Sequence, residues 1–183
     1  VLHHGRWPHG SDWLCEAAVD TYLPLLVALD TLEHQRVASP LTVGVTPILA
    51  NQLAHPDFGR EVEAFLAQRI EACDEAIDEF AVTGEMHLAP LAGYWRVRMQ
   101  RLRRRLRRSG GDLIAALGDH ARAGRIELTS SAATHGFLPL LARDESIRLQ
   151  LILGRSEHRR LFGAEARGCW VPECAYRPAG PWS

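Results

Sequence analysis

The chain contains no lysine: all 21 positions counted as Lys plus Arg are arginine. Against 22 acidic residues they give a net charge of −1, so no global bias toward nucleic acid or an anionic membrane is present. We read the missing lysine as the codon usage of a GC-rich genome and draw no chemistry from it. Long apolar runs are also absent; none approaches the roughly 18–20 residues that a bilayer span needs. No signal-peptide pattern opens the chain, and the cytoplasm is the simplest expected location. Cys15, Cys73, Cys169 and Cys174 form no C-x-x-C pair and no zinc-type spacing with histidine, so reduced, partly buried thiols are expected.

What is present suits one sizeable domain: 183 residues, 46% of them hydrophobic. Ser11 and Asp12 are candidate N-caps for a helical pattern over residues 11–35, with a kink or break expected at Pro24. The run Leu41 to Thr46 reads as a short buried parallel strand that Pro47 closes. Helical periodicity follows over Phe58 to Phe80 and over Tyr94 to Arg108. Asp112 is positioned to cap a further helix that Gly124 ends. Arg125 to Ser131 predicts a second buried strand, Asp144 to Phe162 a helix, and "GCWVPE" a third strand. Strands separated by long helices indicate crossover units and a parallel sheet or barrel, whose chemistry gathers at the carboxyl ends of the strands. Thr46, Ser130 to His135, and Glu173 would then occupy equivalent strand-end positions.

Eight arginines crowd into residues 96–108, leaving 13 against 22 acids elsewhere. A phosphate-binding surface is one reading of them. The other is a solvated or ion-paired helix. Trp95, Met99, Leu102 and Leu106 form an apolar seam for packing, and the acidic helix over residues 61–79 could meet the arginines. No aromatic interleaving or known motif supports nucleic acid. Nine histidines are present, and His3, His4 and His9 cluster in a Gly- and Pro-containing loop without metal-ligand spacing, so no metal is expected. His135 differs, because it follows a predicted buried strand and precedes Gly136, which permits close approach of a ligand. Satisfaction of its ring by backbone groups remains the structural alternative.

The segment "GCWVPECAY" places Glu173 between a proline and a cysteine. Such a carboxylate either caps a backbone donor or works in a dry, aromatic-walled setting, and His135 and Arg177 are candidate donors to it. "ELTSSAATHGFLPLL" followed by "GCWVPECAYRP", with "HHGRWPHGSDWLCEA", "TVGVTPILANQL" and "SGGDLIAAL" in order, resembles the family 57 glycoside hydrolases, specifically their 1,4-α-glucan branching enzyme branch. The resemblance implies an α/β fold, a (β/α)7 barrel without metal or organic cofactor, acting on α-1,4-glucan. It implies Glu173 as catalytic nucleophile, with His135 and Trp170 lining the sugar site. A retaining mechanism requires a second carboxyl about 5–5.5 Å away.

The family's H-x-H-x-P motif should precede Val1, and its acid/base Asp should lie beyond Ser183. The 183 residues are therefore expected to be an N-terminal portion of the barrel, incomplete and inactive alone, needing the rest of the parent chain. Asp144 and Glu145 read as a helix start and not as a replacement acid. Rival readings are an α-amylase or 4-α-glucanotransferase of the same family, and a non-catalytic glucan- or anion-binding module built on the arginine run.

Overall fold

The computed structural model describes Gly5, residues 10–38 and 41–178, and Gly180. His3, His4 and His9 lie outside the described residues. The chain divides into two compact units. One takes the described residues through Val37 together with His55–Leu117; the other takes Ala38–Ala54 and Gly118 onward.

The first unit is helical. Helix α1 (Ser11–Ala17) passes through a π-helical turn, Ala18–Tyr22, into α2 (Leu23–His34). The expected break at Pro24 is this π turn. A proline ring clashes with the carbonyl four residues back, and the widened turn just ahead of it absorbs the misfit while the helix continues. Ser11 and Asp12 do not cap α1: Gly10 is the N-cap, no side chain bonds there, and the Ser11 N–H donates to the Gly5 carbonyl at 2.9 Å. The helix start is thus satisfied by backbone and leaves Ser11 buried. Asp112 does cap as expected, with the Ala115 N–H donating to its Oδ1 at 2.8 Å.

Helix α4 (Phe58–Thr83) packs along α5 (Ala89–Arg108), which also meets α2. Leu23, Leu26 and Leu29 of α2, Phe58, Val62 and Leu66 of α4, and Leu102 and Leu106 of α5 are buried. The apolar seam of α5 is therefore buried at its C-terminal half. Trp95 and Met99 instead line an apolar groove of about 370 Å³ with Phe80, Leu88 and Leu91. Five of the eight clustered arginines pair with acids inside this unit: Arg96 with Asp74, Arg103 and Arg107 with Glu63, Arg105 and Arg108 with Asp30. Arg105 is buried, its Nε 2.6 Å from Asp30 Oδ2. The ion-paired reading of the arginine run is the one this geometry supports.

The second unit holds a three-stranded parallel sheet in the order β1 (Leu41–Gly44), β2 (Ile126–Ser131), β3 (Cys169–Trp170). All three predicted strands exist, and the connection from β2 to β3 is helical, α7 (Asp144–Phe162). Of the expected incomplete barrel, the described residues show this three-stranded parallel sheet. Burial follows from strand order: β2 has neighbours on both sides and is mostly buried, whereas β1 and β3 are edges and largely exposed, contrary to the expectation of three buried strands. Sequence reading also missed α3 (Pro47–Leu53), which Thr46 caps through its Oγ1, 3.4 Å from the Leu49 N–H. Helix α6 (Leu113–Arg122) opens in the first unit and closes in the second, where Gly124, at φ 69°, ends it.

Helix α7 lies on β2 at one close approach: a Cβ added to Gly154 would sit 2.1 Å from the Ser131 carbonyl oxygen. Gly93 in α5 has nothing within 4 Å of such a Cβ. Gly154→Ala is therefore expected to cost roughly 3 kcal/mol in thermal unfolding, while Gly93→Ala gains up to about 1 kcal/mol from helix propensity. Equal effects would remove the steric argument.

Glu63 yields a second test. Desolvation alone would raise its carboxyl pKa, but hydrogen bonds from Arg107 and Arg103 outweigh it and hold the group below its ordinary value. A depressed folded-state value stabilises the protein above the unfolded carboxylate range of about 4.3 and is lost as pH falls through the folded value. Glu63→Gln should lower stability by roughly 1 kcal/mol at pH 7, with the gap to the parent protein closing below about pH 4 in denaturant titrations.

Candidate active site

Parallel pairing sets the site. Ser130 pairs with Cys169 and Ser131 with Trp170, so the two chains leave the sheet side by side. Ser131 Oγ fastens that exit by donating to the Trp170 carbonyl at 2.8 Å. Beyond Ser131 the backbone turns, with the His135 N–H donating to the Ala132 carbonyl at 3.1 Å. Beyond Trp170 it enters a short 3-10 turn, Pro172–Cys174. The two turns bring His135 Nε2 to 3.6 Å from Glu173 Oε1.

Both residues sit in left-handed backbone, His135 at φ 58° and Glu173 at φ 56°, and Cys174 follows at φ 55°. For a residue with a Cβ this conformation costs about 1–2 kcal/mol, and such residues gather where function requires a fixed presentation. The Glu173 side chain is 66% exposed and the Trp170 residue 55% exposed, while the His135 side chain is 33% exposed. Glu173 therefore stands in neither of the settings expected for it. Among the described residues no backbone N–H bonds to its carboxylate, whose described partner is His135, and its surroundings in this unit are open instead of dry. The edge position of β3 fits the openness, since among the described residues β2 is the strand it pairs with.

The remaining strand-end candidate has another use. Thr46 closes β1 but spends its hydroxyl on the start of α3. His135 is not held as a satisfied structural histidine, for its Nδ1 is buried without a hydrogen-bond partner in the described residues. The sequence reading missed Gln150 of α7. Its Oε1 accepts the Thr134 N–H at 2.9 Å. A polar residue interrupting the apolar run of residues 149–153 near a predicted strand end was the signal available. No group of His, Cys, Asp and Glu among the described residues has the arrangement of a metal centre.

Chemically the pair offers an accessible carboxylate and an imidazole at ion-pair distance, and the exposed Trp170 lies on the strand that leads into the Glu173 turn. A carboxylate so placed can attack an electrophilic carbon, and an indole face stacks on the apolar face of a sugar ring.

Residues 1–180 match the sequence profile of glycosyl hydrolase family 57. The chain belongs to that family. It is 37% identical, over its whole length, to the 1,4-α-glucan branching enzyme TK1436 of Thermococcus kodakarensis, of which it spans 26%. Its fold matches the crystal structure of a GH57-type branching enzyme from Pyrococcus horikoshii with a TM-score of 0.92 at 35% identity, covering 98% of this chain and 33% of that one. It also matches the α-amylase AmyC of Thermotoga maritima with a TM-score of 0.85 at 27% identity, covering 96% of this chain and 33% of that one. The α/β organisation is thus that of family 57, and the chain spans about a quarter to a third of these relatives. No helix among the described residues is long and apolar enough to cross a membrane.

Because Ser131 Oγ ties β2 to β3 where the site begins, Ser131→Ala should cost about 1 kcal/mol of stability, the net value of one such hydrogen bond. An unchanged urea midpoint would show that the backbone pairing alone fixes this exit.

Proposed function

We propose that this chain is the part of a retaining 1,4-α-glucan branching enzyme that carries the nucleophile. The observation that carries the reading is the His135 to Glu173 contact at 3.6 Å, made at the adjoining ends of two parallel strands in a family 57 chain. The branching assignment draws support from the 37% identity to TK1436, whose crystal structure in complex with glucose also matches this chain with a TM-score of 0.90.

In this reading Glu173 attacks the anomeric carbon of an α-1,4-linked glucose. The bond to the leaving chain's O4 breaks, that oxygen takes a proton from a second carboxyl, and a covalent glycosyl ester remains on Glu173. The 6-hydroxyl of another glucan chain then attacks the same carbon and gives its proton to the second carboxyl, now a base, while the Glu173 carboxylate leaves. Two inversions retain the α configuration and create an α-1,6 branch. Trp170 supplies a stacking face for the sugar, and His135 orients the Glu173 carboxylate and reaches the donor sugar. The step needs no metal or organic cofactor. The second carboxyl is assigned to the remainder of the parent protein, which the lengths of the relatives can accommodate, and the 183 residues alone are expected to leave glucan unchanged. A role in building a glycogen-like polymer in the cytoplasm belongs to the same proposal.

The match to an α-amylase supports a second reading in which water, or the 4-hydroxyl of another chain, takes the acceptor's place. Both are tested with the full-length parent protein and amylose, with new α-1,6 linkages scored by proton NMR before and after debranching. Branches are expected from the parent, with Glu173→Gln lowering turnover on the order of 10³-fold or more while glucan binding persists. Shortened or redistributed linear chains would replace branching by amylase or glucanotransferase activity. Undiminished turnover by Glu173→Gln would remove the nucleophile assignment, and glucan binding without turnover by the parent would indicate a binding module.

A further inference from the structure

The backbone that carries His135 is held by a single residue of α7. The Ala133 N–H donates to the main-chain carbonyl of Gln150 at 3.0 Å, and the Thr134 N–H donates to Gln150 Oε1 at 2.9 Å. Thr134 Oγ1 lies 3.2 Å from that same oxygen and accepts from Gln150 Nε2 at 2.9 Å. Gln150 thus grips the two residues that immediately precede His135, through both main chain and side chain.

A histidine that must face a reacting group is ordinarily oriented by a hydrogen bond on its other ring nitrogen. His135 has no such anchor, because its Nδ1 is buried without a partner in the described residues. The direction of the ring then depends on the backbone beneath it, which stands in the left-handed region at φ 58° and would relax from it if released. The neighbouring turn is pinned at Ser131, one residue before the segment begins, by the hydroxyl bond to Trp170. Between that pin and His135, the described side chain that restrains the segment is Gln150.

Resting on the reading of Glu173 as the nucleophile, we infer that Gln150 is a positioning residue for the His135 to Glu173 pair. It acts through Thr134 and hydrogen-bonds to neither member of the pair. Its side-chain hydrogen bonds are exposed, so they add little to global stability, whereas a displacement near 1 Å at a reacting group lowers turnover by up to about 10²-fold.

The test uses the full-length protein, amylose as substrate, and kcat and KM per folded molecule. Gln150→Leu should lower kcat about 10- to 100-fold and leave KM within about twofold, because the loss falls on geometry and not on substrate binding. Gln150→Glu keeps oxygens that accept from both the Thr134 N–H and its hydroxyl, and is expected to return kcat to within about threefold of the parent. Thr134→Val removes only the hydroxyl arm and should lose about 3- to 10-fold, which keeps the inference open to test if Gln150→Leu does not fold. Parent-like kcat in Gln150→Leu or Thr134→Val, or a loss that merely follows the fraction unfolded, would overturn the positioning role. With Glu173→Gln inactive alongside, that result leaves the nucleophile assignment standing; turnover that survives Glu173→Gln overturns both.

Discussion

The Ser131 carbonyl requires a bare α-carbon opposite it, and the second unit is arranged around that requirement. At Gly154 the helix comes close enough for the Ser131 carbonyl oxygen to stand where a Cβ would be. The Ser130 hydroxyl exploits the same approach by donating to the Gly154 carbonyl at 3.0 Å. Once α7 is held there, Gln150, one turn earlier, falls beside the segment that leaves β2. The site is therefore placed by a helix-to-strand distance set where no chemistry occurs.

The two units solve their charge problem differently from their site problem. In the first, a helix so rich in arginine would repel itself, and the acids of α2 and α4 offset part of that charge at Asp30, Glu63 and Asp74. Shared acids matter here: Glu63 meets two guanidinium groups and Asp30 two, so ordering one side chain serves two attractions. Isolated surface pairs contribute little, and a shared arrangement loses less side-chain entropy per contact. In the second unit the pair that matters, His135 with Glu173, is left half open and strained, as a group intended to meet a ligand would be.

Much of this was legible in sequence. Helical periodicity placed α4 and α7 closely and the C-terminal end of α5, whose start at Ala89 lies ahead of the expected Tyr94, because apolar spacing of 3.6 residues has no competing explanation over such lengths. The β2 strand was clear for the same reason, being continuous and central. Failures cluster where one residue type has two uses. Ser11 resembles a cap but is buried beside a backbone that caps itself. Thr46 resembles a strand-end ligand but starts a helix, and the Pro47 that closes β1 opens α3. Burial of β1 and β3 was overestimated because apolar content indicates that a strand can be buried, while its neighbours decide whether it is. Gln150 and Gly154 escaped notice, since their importance lies in what stands across from them and not in their own segment.

The openness of Glu173 carries its own argument. A covalent glycosyl ester is hydrolysed by any water that reaches it in line, so a transferase must shield the ester until a sugar hydroxyl arrives. In the second unit the carboxylate is two-thirds exposed, and the imidazole of His135 is its described partner. That arrangement can hold and aim a nucleophile, yet it cannot by itself choose a sugar hydroxyl over water. Under the proposed chemistry, nucleophile placement and acceptor choice are separable. The first is encoded by β2, β3 and α7, through backbone pairing, a glycine contact and a glutamine grip. The second must come from whatever walls the sugar site, which is why the residues that aim Glu173 can be common to an amylase and a branching enzyme.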